Sequence, residues 1–238
     1  MGLIKLLDTK FYPDYKNNWD DDIFRDKILK NIRKNDVVLD LGAGAGIIPQ
    51  MDFRKFCDRV YGIDPDPRVE NNPYLFEGVE AFGEDVPYPD NFFDVVFADN
   101  VLEHLSAPET VLNEVYRVLK PGGIFLGKTP NKFHYMPLIS RLTPTSFHKW
   151  YNQLRGRDAE DTFPTCYLIN SSKDFHQLCR KSSLLPIEVD LIEGRPEYLR
   201  MFVLTYVFGI LYQRIVSSVN FLRNFRILMI GVAQKPID

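Results

Sequence analysis

Short apolar runs alternate with amphipathic segments along the first half of the chain. The runs that predict buried strands are Val37–Leu41, Val60–Asp64, Phe93–Ala98 and Ile124–Gly127. Apolar residues at helical spacing predict helices over Asp20–Arg33, Ile47–Cys57 and Pro108–Leu119. Lys120-Pro121-Gly122-Gly123 ends the last of these helices, because proline and paired glycines cannot continue it. Such alternation is typical of a parallel sheet with right-handed crossovers.

The pattern changes in the second half of the chain. Asn170–Ser182 predicts a helix, for which Ser171 or Ser172 is the candidate N-cap. Pro186–Ile192 alternates as a strand, and Phe225–Ala233 predicts a final strand. The apolar stretch between them, Tyr198–Leu222, indicates either a long helix or a broken one.

A glycine-rich turn, Gly42-Ala43-Gly44-Ala45-Gly46, follows the first strand. Glycine lets the backbone turn sharply and approach a ligand, and a helix starting after the turn would direct free N–H groups at that ligand. This predicts a nucleotide-binding crevice, although an ordinary strand–helix turn has the same appearance. Ile47 occupies the place of the third glycine of a dinucleotide motif, which disfavours NAD, and a P-loop lysine is missing.

Asp64 ends the second strand about twenty residues after the turn, where a carboxylate can accept the hydroxyl protons of a ribose. The alternative role is that of a capping or turn residue before Pro65.

Composition excludes several classes of function. The 238 residues carry a net charge of −3, which gives no general case for nucleic-acid binding. The three cysteines are too widely spaced for a disulfide framework or a metal knuckle, so we expect a reducing, cytoplasmic setting. We expect no signal peptide, because the first eight residues already contain charges. The most apolar later stretch, Met201–Tyr212, is shorter than the roughly 20 residues that span a bilayer.

Further ordered motifs narrow the interpretation. They are Asp40–Gly46, Asp64, Val86–Asp94, Asn100–His104 and Arg117–Gly123. With them the chain resembles the class I S-adenosylmethionine-dependent methyltransferases of the type 11 group, over about residues 30–130. The resemblance implies an α/β, Rossmann-like doubly wound fold with a mostly parallel seven-stranded sheet, an antiparallel last strand and a helical lid or insertion. It implies a single domain over 1–238, with a cofactor-binding core at 30–130, a substrate-side insertion and helices at 131–222, and the final strand at 225–234.

The resemblance also implies which residues bind S-adenosyl-L-methionine. They are Asp40, Gly42, Ala43, Gly44, Asp64, Pro65, Gly83, Glu84, Asp85, Asp99 and Asn100. The chain departs from many relatives in having Phe82 before the adenine-facing loop, where it either packs on the adenine or belongs to the core. We expect no metal site, because Asn100 stands where metal-binding relatives have glutamate, and we interpret Glu103 and His104 as structural.

Histidine suits the task of removing a proton from a hydroxyl acceptor, since its ordinary pKa is about 6.5. His134 follows the fifth strand and is the candidate catalytic base; a surface or capping role is the alternative. His148 and His176 are weaker candidates.

The acceptor is expected to be a small molecule. Residues 128–157 contain six Lys or Arg, no Asp or Glu and five aromatic residues, which favours an anionic or aromatic acceptor unless the cations are merely solvated. Tyr198–Leu222, with its arginines, indicates a lid, a homodimer interface or a peripheral membrane contact, and the last of these would suit a lipid-like acceptor. The expected reaction is methyl transfer to an O, N or C atom. The alternatives are a non-catalytic S-adenosylmethionine-binding protein or a subunit of a biosynthetic complex, and, disfavoured by Ile47, an oxidoreductase.

Overall fold

A mixed seven-stranded sheet forms the centre of the computed structural model, which describes residues 2–142 and 164–237. The strands are β1 (Val37–Leu41), β2 (Arg59–Asp64), β3 (Glu77–Glu80), β4 (Phe93–Asp99), β5 (Leu119–Pro130), β6 (Leu185–Ile192) and β7 (Leu228–Gln234). Their order is 3-2-1-4-5-7-6, and β7 runs antiparallel to both of its neighbours while the other strands are parallel. The predicted fold class is confirmed.

Helices cover both faces of this sheet. They are α1 (Leu3–Phe11), α2 (Trp19–Leu29), α3 (Pro108–Val118), α4 (Tyr135–Leu142), α5 (Ser172–Lys181) and α6 (Val203–Ser218). Ser171 is the N-cap of α5, and its hydroxyl accepts a hydrogen bond from the backbone N–H of Asp174. Short 3₁₀ turns, Glu197–Leu199 and Asn220–Phe225, flank α6, so the broken form of the predicted apolar helix is the one observed. No helix in the described ranges combines the length and apolar character needed to cross a bilayer.

The prediction of a helix over Ile47–Cys57 is wrong. Only a 3₁₀ turn, Pro49–Met51, forms there. Met51 and Phe53 are both buried in the core, and two residues two positions apart cannot face the same side of an α-helix. The glycine turn therefore leads into an extended connection, and the helix N-terminus expected to direct N–H groups at a ligand does not form.

The core lies on both sides of the sheet, which explains why β1 is buried at every position. Leu39 and Leu41 pack toward α3 and α5, while Val38 packs with Phe24 and Ile28 of α2. Since β2 and β4 lie on opposite sides of β1, the connections leave it in opposite directions. Ligands bind such sheets outside the carboxyl ends of the strands at this point.

Candidate functional site

A cavity of about 190 Å³ opens where β1, β2 and β4 end. It is lined by the glycine turn, the strand-end carboxylates and the connections that follow β1 and β2. The lining residues are Asp40, Gly42, Ala43, Gly44, Ala45, Gly46, Ile47, Ile48, Met51, Asp64, Asp66, Arg68, Asn72, Tyr74 and Asp99.

The glycine turn is held close to its neighbours. Gly42 and Gly46 have positive φ values, which glycine adopts without strain. A Cβ at Gly42 would collide with the side chain of Val101, and one at Gly46 would collide with Asn72. The backbone N–H groups of Gly42 and Ala43 donate to Ile63 O at 2.8 and 3.1 Å, which fixes the turn against β2.

Asp64 connects the end of β2 to this turn. Its Oδ2 accepts a hydrogen bond from Gly44 N at 2.9 Å, and its Oδ1 accepts one from Asp66 N at 2.8 Å. A carboxylate offers about four acceptor positions, so two backbone donors leave capacity for further donors. The carboxylate is therefore oriented by the protein and can still accept hydroxyl groups in the cavity.

Asn72 orders the other side of the turn. Its side-chain amide donates to Ala43 O at 3.0 Å and to Gly44 O at 3.1 Å, while its Oδ1 accepts from Tyr74 N at 2.9 Å. These bonds satisfy the carbonyl groups of a turn that has no helix after it.

Two more carboxylates give the cavity its electrostatic character. Burial, reinforced by the neighbouring charges of Asp99 and Asp64, raises the pKa of Asp40 well above its usual value. Burial also raises the pKa of Asp99 to about 6, although Lys128 opposes the shift. Oδ2 of Asp99 has no hydrogen-bond donor among the described residues. The cavity therefore favours a cationic or hydrogen-bond-donating ligand.

Lys128, at the end of β5, lies behind Asp99 and is fully buried. Its Nζ is 2.8 Å from Asp99 Oδ1 and 3.3 Å from Asp20 Oδ2, and it also contacts Asp21 Oδ1. Because a buried ammonium needs paired carboxylates, this cluster fixes the start of α2 to the edge of the sheet beside the cavity.

His134 occupies a separate, enclosed position after β5. It packs against the rings of Tyr135 and Tyr212, and its Nδ1 accepts a hydrogen bond from Met136 N at 3.3 Å. Its Nε2 lies 3.7 Å from Oε1 of Glu193. Burial lowers the pKa of His134 to about 3 and raises the pKa of Glu193 to about 8, so both groups are neutral at pH 7.

Glu103 and His104 contact the chain after β5 and the loop at 164–167. Glu103 Oε2 accepts a hydrogen bond from the hydroxyl of Thr129 at 2.8 Å, and its carbonyl accepts one from Cys166 N at 2.7 Å. Nδ1 of His104 lies 2.8 Å from Pro164 O. Glu103 thus connects β5 to the loop at 164–167, and His104 contacts the same loop. His148 lies outside the described residues.

Comparison with known families identifies the part of the chain that builds this cavity. A family described as "Methyltransferase domain" matches residues 39–127, from β1 into β5. The matched segment contains the glycine turn, Asp64 and Asp99, and it lies within the sheet order described above. Residues 39–127 therefore match a methyltransferase domain.

Individual proteins resemble this methyltransferase domain to different extents. "Probable methyltransferase ltbC" of Aspergillus luteorubrus is 32% identical over 131 residues, covering 46% of this chain and 45% of that protein. The chain thus spans less than half the length of that curated relative.

Two solved structures share the fold. The protein solved in complex with the Haloferax volcanii Trm112 methyltransferase activator aligns with a TM-score of 0.62 at 18% identity, over 98% of this chain and 96% of that one. Geranyl diphosphate C-methyltransferase from Streptomyces coelicolor, solved with Mg²⁺, geranyl diphosphate and S-adenosyl-L-homocysteine, aligns with a TM-score of 0.54 at 14% identity, over 90% and 77%.

Some of the predicted site residues of the methyltransferase domain line its cavity and others do not. Asp40, Gly42, Ala43, Gly44, Asp64 and Asp99 line it. Pro65, Gly83, Glu84, Asp85 and Asn100 are not among the lining residues, and their roles stay predictions. Gly83 lies close to Val111 of α3, and the backbone N–H of Asn100 donates to Lys128 O.

Sequence reasoning missed the lining residues that follow β2, namely Asp66, Arg68, Asn72 and Tyr74. They lie on a 3₁₀ turn and a loop, which have no periodic pattern to reveal which way a side chain points. A cue was available at Asn72, since an asparagine before a proline is typical of a turn.

Proposed function

We propose that the chain is an S-adenosylmethionine-dependent methyltransferase that acts on an O, N or C atom of a small molecule, with residues 1–238 forming one domain. The observation that carries the proposal is Asp64. It ends β2, is oriented by the N–H groups of Gly44 and Asp66, and lines the cavity at the strand ends. A carboxylate in this position is suited to the paired hydroxyl groups of a ribose.

The residues present also fit the charge of the cofactor. S-adenosylmethionine carries an ammonium group and a positive sulfur, and the cavity is lined by the carboxylates of Asp64 and Asp99 and by Asp40, whose pKa is raised well above its usual value. Asp99 Oδ2 lacks a donor among the described residues, so a ligand can supply one without displacing a protein contact. When bound, the cofactor supplies a methyl group activated by the positive sulfur. A solved structure of the same fold contains S-adenosyl-L-homocysteine, which supports this choice of cofactor.

The glycine turn and Asn72 serve the same ligand. Because Gly42 and Gly46 carry no Cβ, Val101 and Asn72 can pack directly against the turn. Asn72 also donates hydrogen bonds to two of the turn carbonyls, so the backbone is held in place before a ligand binds. A preorganised site loses less entropy when it binds.

We propose an anionic or aromatic small molecule as the methyl acceptor. Geranyl diphosphate C-methyltransferase was solved with geranyl diphosphate, a small anionic molecule, and the excess of Lys and Arg over residues 128–157 favours an anionic or aromatic acceptor here. We keep His134 as the proposed base for acceptors that must lose a proton. Its imidazole is unprotonated at pH 7, as a base must be, but its low pKa limits its affinity for a proton.

Transfer of a labelled methyl group tests the proposed function. The purified chain and methyl-labelled S-adenosylmethionine are added to a small-molecule extract of the source cells, and labelled products are identified by mass. We expect labelled product with the parent chain and none with Asp64→Ala, while Asp58→Ala, an exposed aspartate near the other end of β2, retains activity. Cofactor binding without any labelled product would contradict catalysis.

The same assay tests the role of His134. If it is the base, His134→Gln should lower turnover by about a hundredfold or more while cofactor affinity changes little, since general base catalysis contributes about 10²–10⁴-fold. Equal turnover in the parent and the variant would remove His134 from the reaction.

A further inference from the structure

A continuous apolar surface lies on the outer side of α6. Leu204, Val207, Phe208, Leu211, Ile215 and Val219 are all exposed in the described part of the chain, and we call them the α6 apolar face. The spacing of the first five, mainly three and four residues, places them along one side of the helix, and Val219 follows directly after the helix end. Contiguous apolar patches of this kind on a protein surface mark interaction sites.

The opposite side of α6 is fixed to the protein. Tyr206 and Ile210 are buried, and the Tyr206 hydroxyl donates to Asp8 Oδ1 of α1 at 2.6 Å. Arg200 Nη2 lies 2.5 Å from Asp8 Oδ2, and the Arg195 guanidinium also contacts Asp8. The buried side of α6 is therefore attached to α1, and this attachment holds the α6 apolar face in a fixed orientation.

Basic residues surround this face. Residues 2–12 and 195–227 contain the cations Lys5, Lys10, Arg195, Arg200, Arg214, Arg223 and Arg226 and two carboxylates, Asp8 and Glu197, whereas the whole chain carries −3. Asp8 is already paired with arginines. Lys5, Lys10, Arg214 and Arg223 are exposed, so α1, α6 and the turn after α6 expose an excess of positive charge in a chain whose net charge is negative.

Arg223 also lines a second cavity, of about 270 Å³, together with Lys173. Among the described residues that line it, none is a carboxylate. The basic character at the end of α6 therefore continues into a recess that can admit a phosphate-bearing head group.

We propose that α1 and α6 dock this protein on an anionic lipid bilayer, with the α6 apolar face inserted between head groups and the surrounding cations at the phosphates. An apolar helix side with Lys and Arg at its margins is the arrangement of interfacial helices, and the charge complements anionic lipids. Charge disfavours a second copy as the occupant, because a symmetric pairing would bring two identical cationic margins together.

The topology places the bilayer on the same side as the methyltransferase cavity. The chain enters the α6 region from the carboxyl end of β6 and returns to the start of β7, which runs antiparallel. Both ends of this connection therefore lie at the edge of the sheet where β1, β2 and β4 end. The docking proposal does not depend on methyl transfer and has its own test.

Vesicle flotation tests the docking. The full chain is mixed with vesicles of phosphatidylcholine alone or of phosphatidylcholine with phosphatidylserine. We expect it to float with the anionic vesicles only, and added salt should release part of it, since exposed charges are screened. Recovery of the chain away from the anionic vesicles would overturn the proposal.

A pair of double variants isolates the apolar face. Phe208→Gln with Leu211→Gln removes two side chains that are 62% and 54% exposed. The matched control, Leu185→Gln with Ile187→Gln on β6, removes two that are 53% and 57% exposed. The α6 variant should lose about tenfold or more of its vesicle binding, because affinity scales with inserted apolar area, while the β6 variant should bind like the parent.

Circular dichroism and light scattering complete the test. Both variants should keep the parent's far-ultraviolet spectrum, since the substituted side chains are exposed. Equal vesicle binding by the parent and the folded α6 variant would contradict the proposal. So would a parent dimer that the α6 substitutions convert to a monomer, because a second copy would then be the occupant.

Discussion

At the scale of single residues, the cavity depends on where carboxylates stand relative to strand ends. Asp40, Asp64 and Asp99 lie at or near the ends of β1, β2 and β4. Asp64 could be predicted from the end of an apolar run, whereas Asp40 and Asp99 were implied by the family resemblance. Asn72 could not be predicted, since its role depends on the path of a loop toward two carbonyl groups. The sequence also could not show that His134 is not among the residues that line the cavity.

The ionisation of Asp99 predicts a pH dependence of cofactor binding. Its pKa of about 6 in the ligand-free protein means that it is mostly protonated at pH 5 and ionised at pH 7. A cationic ligand favours the carboxylate and lowers its pKa, so affinity should rise with pH until about 6 and then level off. Calorimetric titration between pH 5 and 8 measures this.

The matched variant for that experiment is Asp99→Asn, which keeps the shape and removes the ionisation. It should bind S-adenosylmethionine more weakly at pH 7 and lose most of the rise between pH 5 and 7. A rise of the parent's size in the variant would assign the effect to another group.

At the scale of elements, regular patterns allowed accurate prediction and irregular ones did not. The apolar spacing of α3 and the serine cap of α5 gave both helices, and the apolar runs gave β1, β2 and β4. The short edge strand β3, Glu77-Gly78-Val79-Glu80, has one half-buried apolar residue and no alternation to detect. The prediction of a helix after β1 was wrong because the apolar content of this connection resembles that of a helix. Met51 and Phe53 are instead buried in the core from an irregular segment.

The attachment of α2 to the sheet predicts a large loss of stability on removal of Lys128. Lys128→Met leaves Asp99, Asp20 and Asp21 crowded around a side chain without charge. Breaking a buried ion pair in this way typically costs about 3–5 kcal/mol of the free energy of unfolding. Denaturant unfolding measures the difference.

Lys181→Met provides the control, because its pair with Glu109 is half exposed on both sides. Exposed pairs contribute about 1 kcal/mol or less, so this variant should unfold close to the parent. Equal midpoints for Lys128→Met and Lys181→Met would show that the buried cluster is not what secures α2.

At the scale of the whole molecule, the cavity and the α6 apolar face belong to different parts of the chain. Residues 39–127 build the cavity, whereas α1 and α6 lie outside the matched segment and carry the apolar, basic surface. A shared fold does not identify an acceptor, because specificity depends on side chains outside the common core. The acceptor is therefore to be found by identifying labelled products rather than from the fold.

Calorimetric titration with S-adenosylmethionine and, separately, with NAD is the decisive measurement of which cofactor the cavity binds. We predict binding of S-adenosylmethionine, no heat with NAD, and unchanged affinity in Asp58→Ala. We predict that Asp64→Ala weakens cofactor binding by at least about tenfold, because hydrogen bonds to a charged group contribute about 1.5–3 kcal/mol. Binding of NAD in place of S-adenosylmethionine, or an Asp64→Ala variant with the parent's Kd, would contradict these predictions.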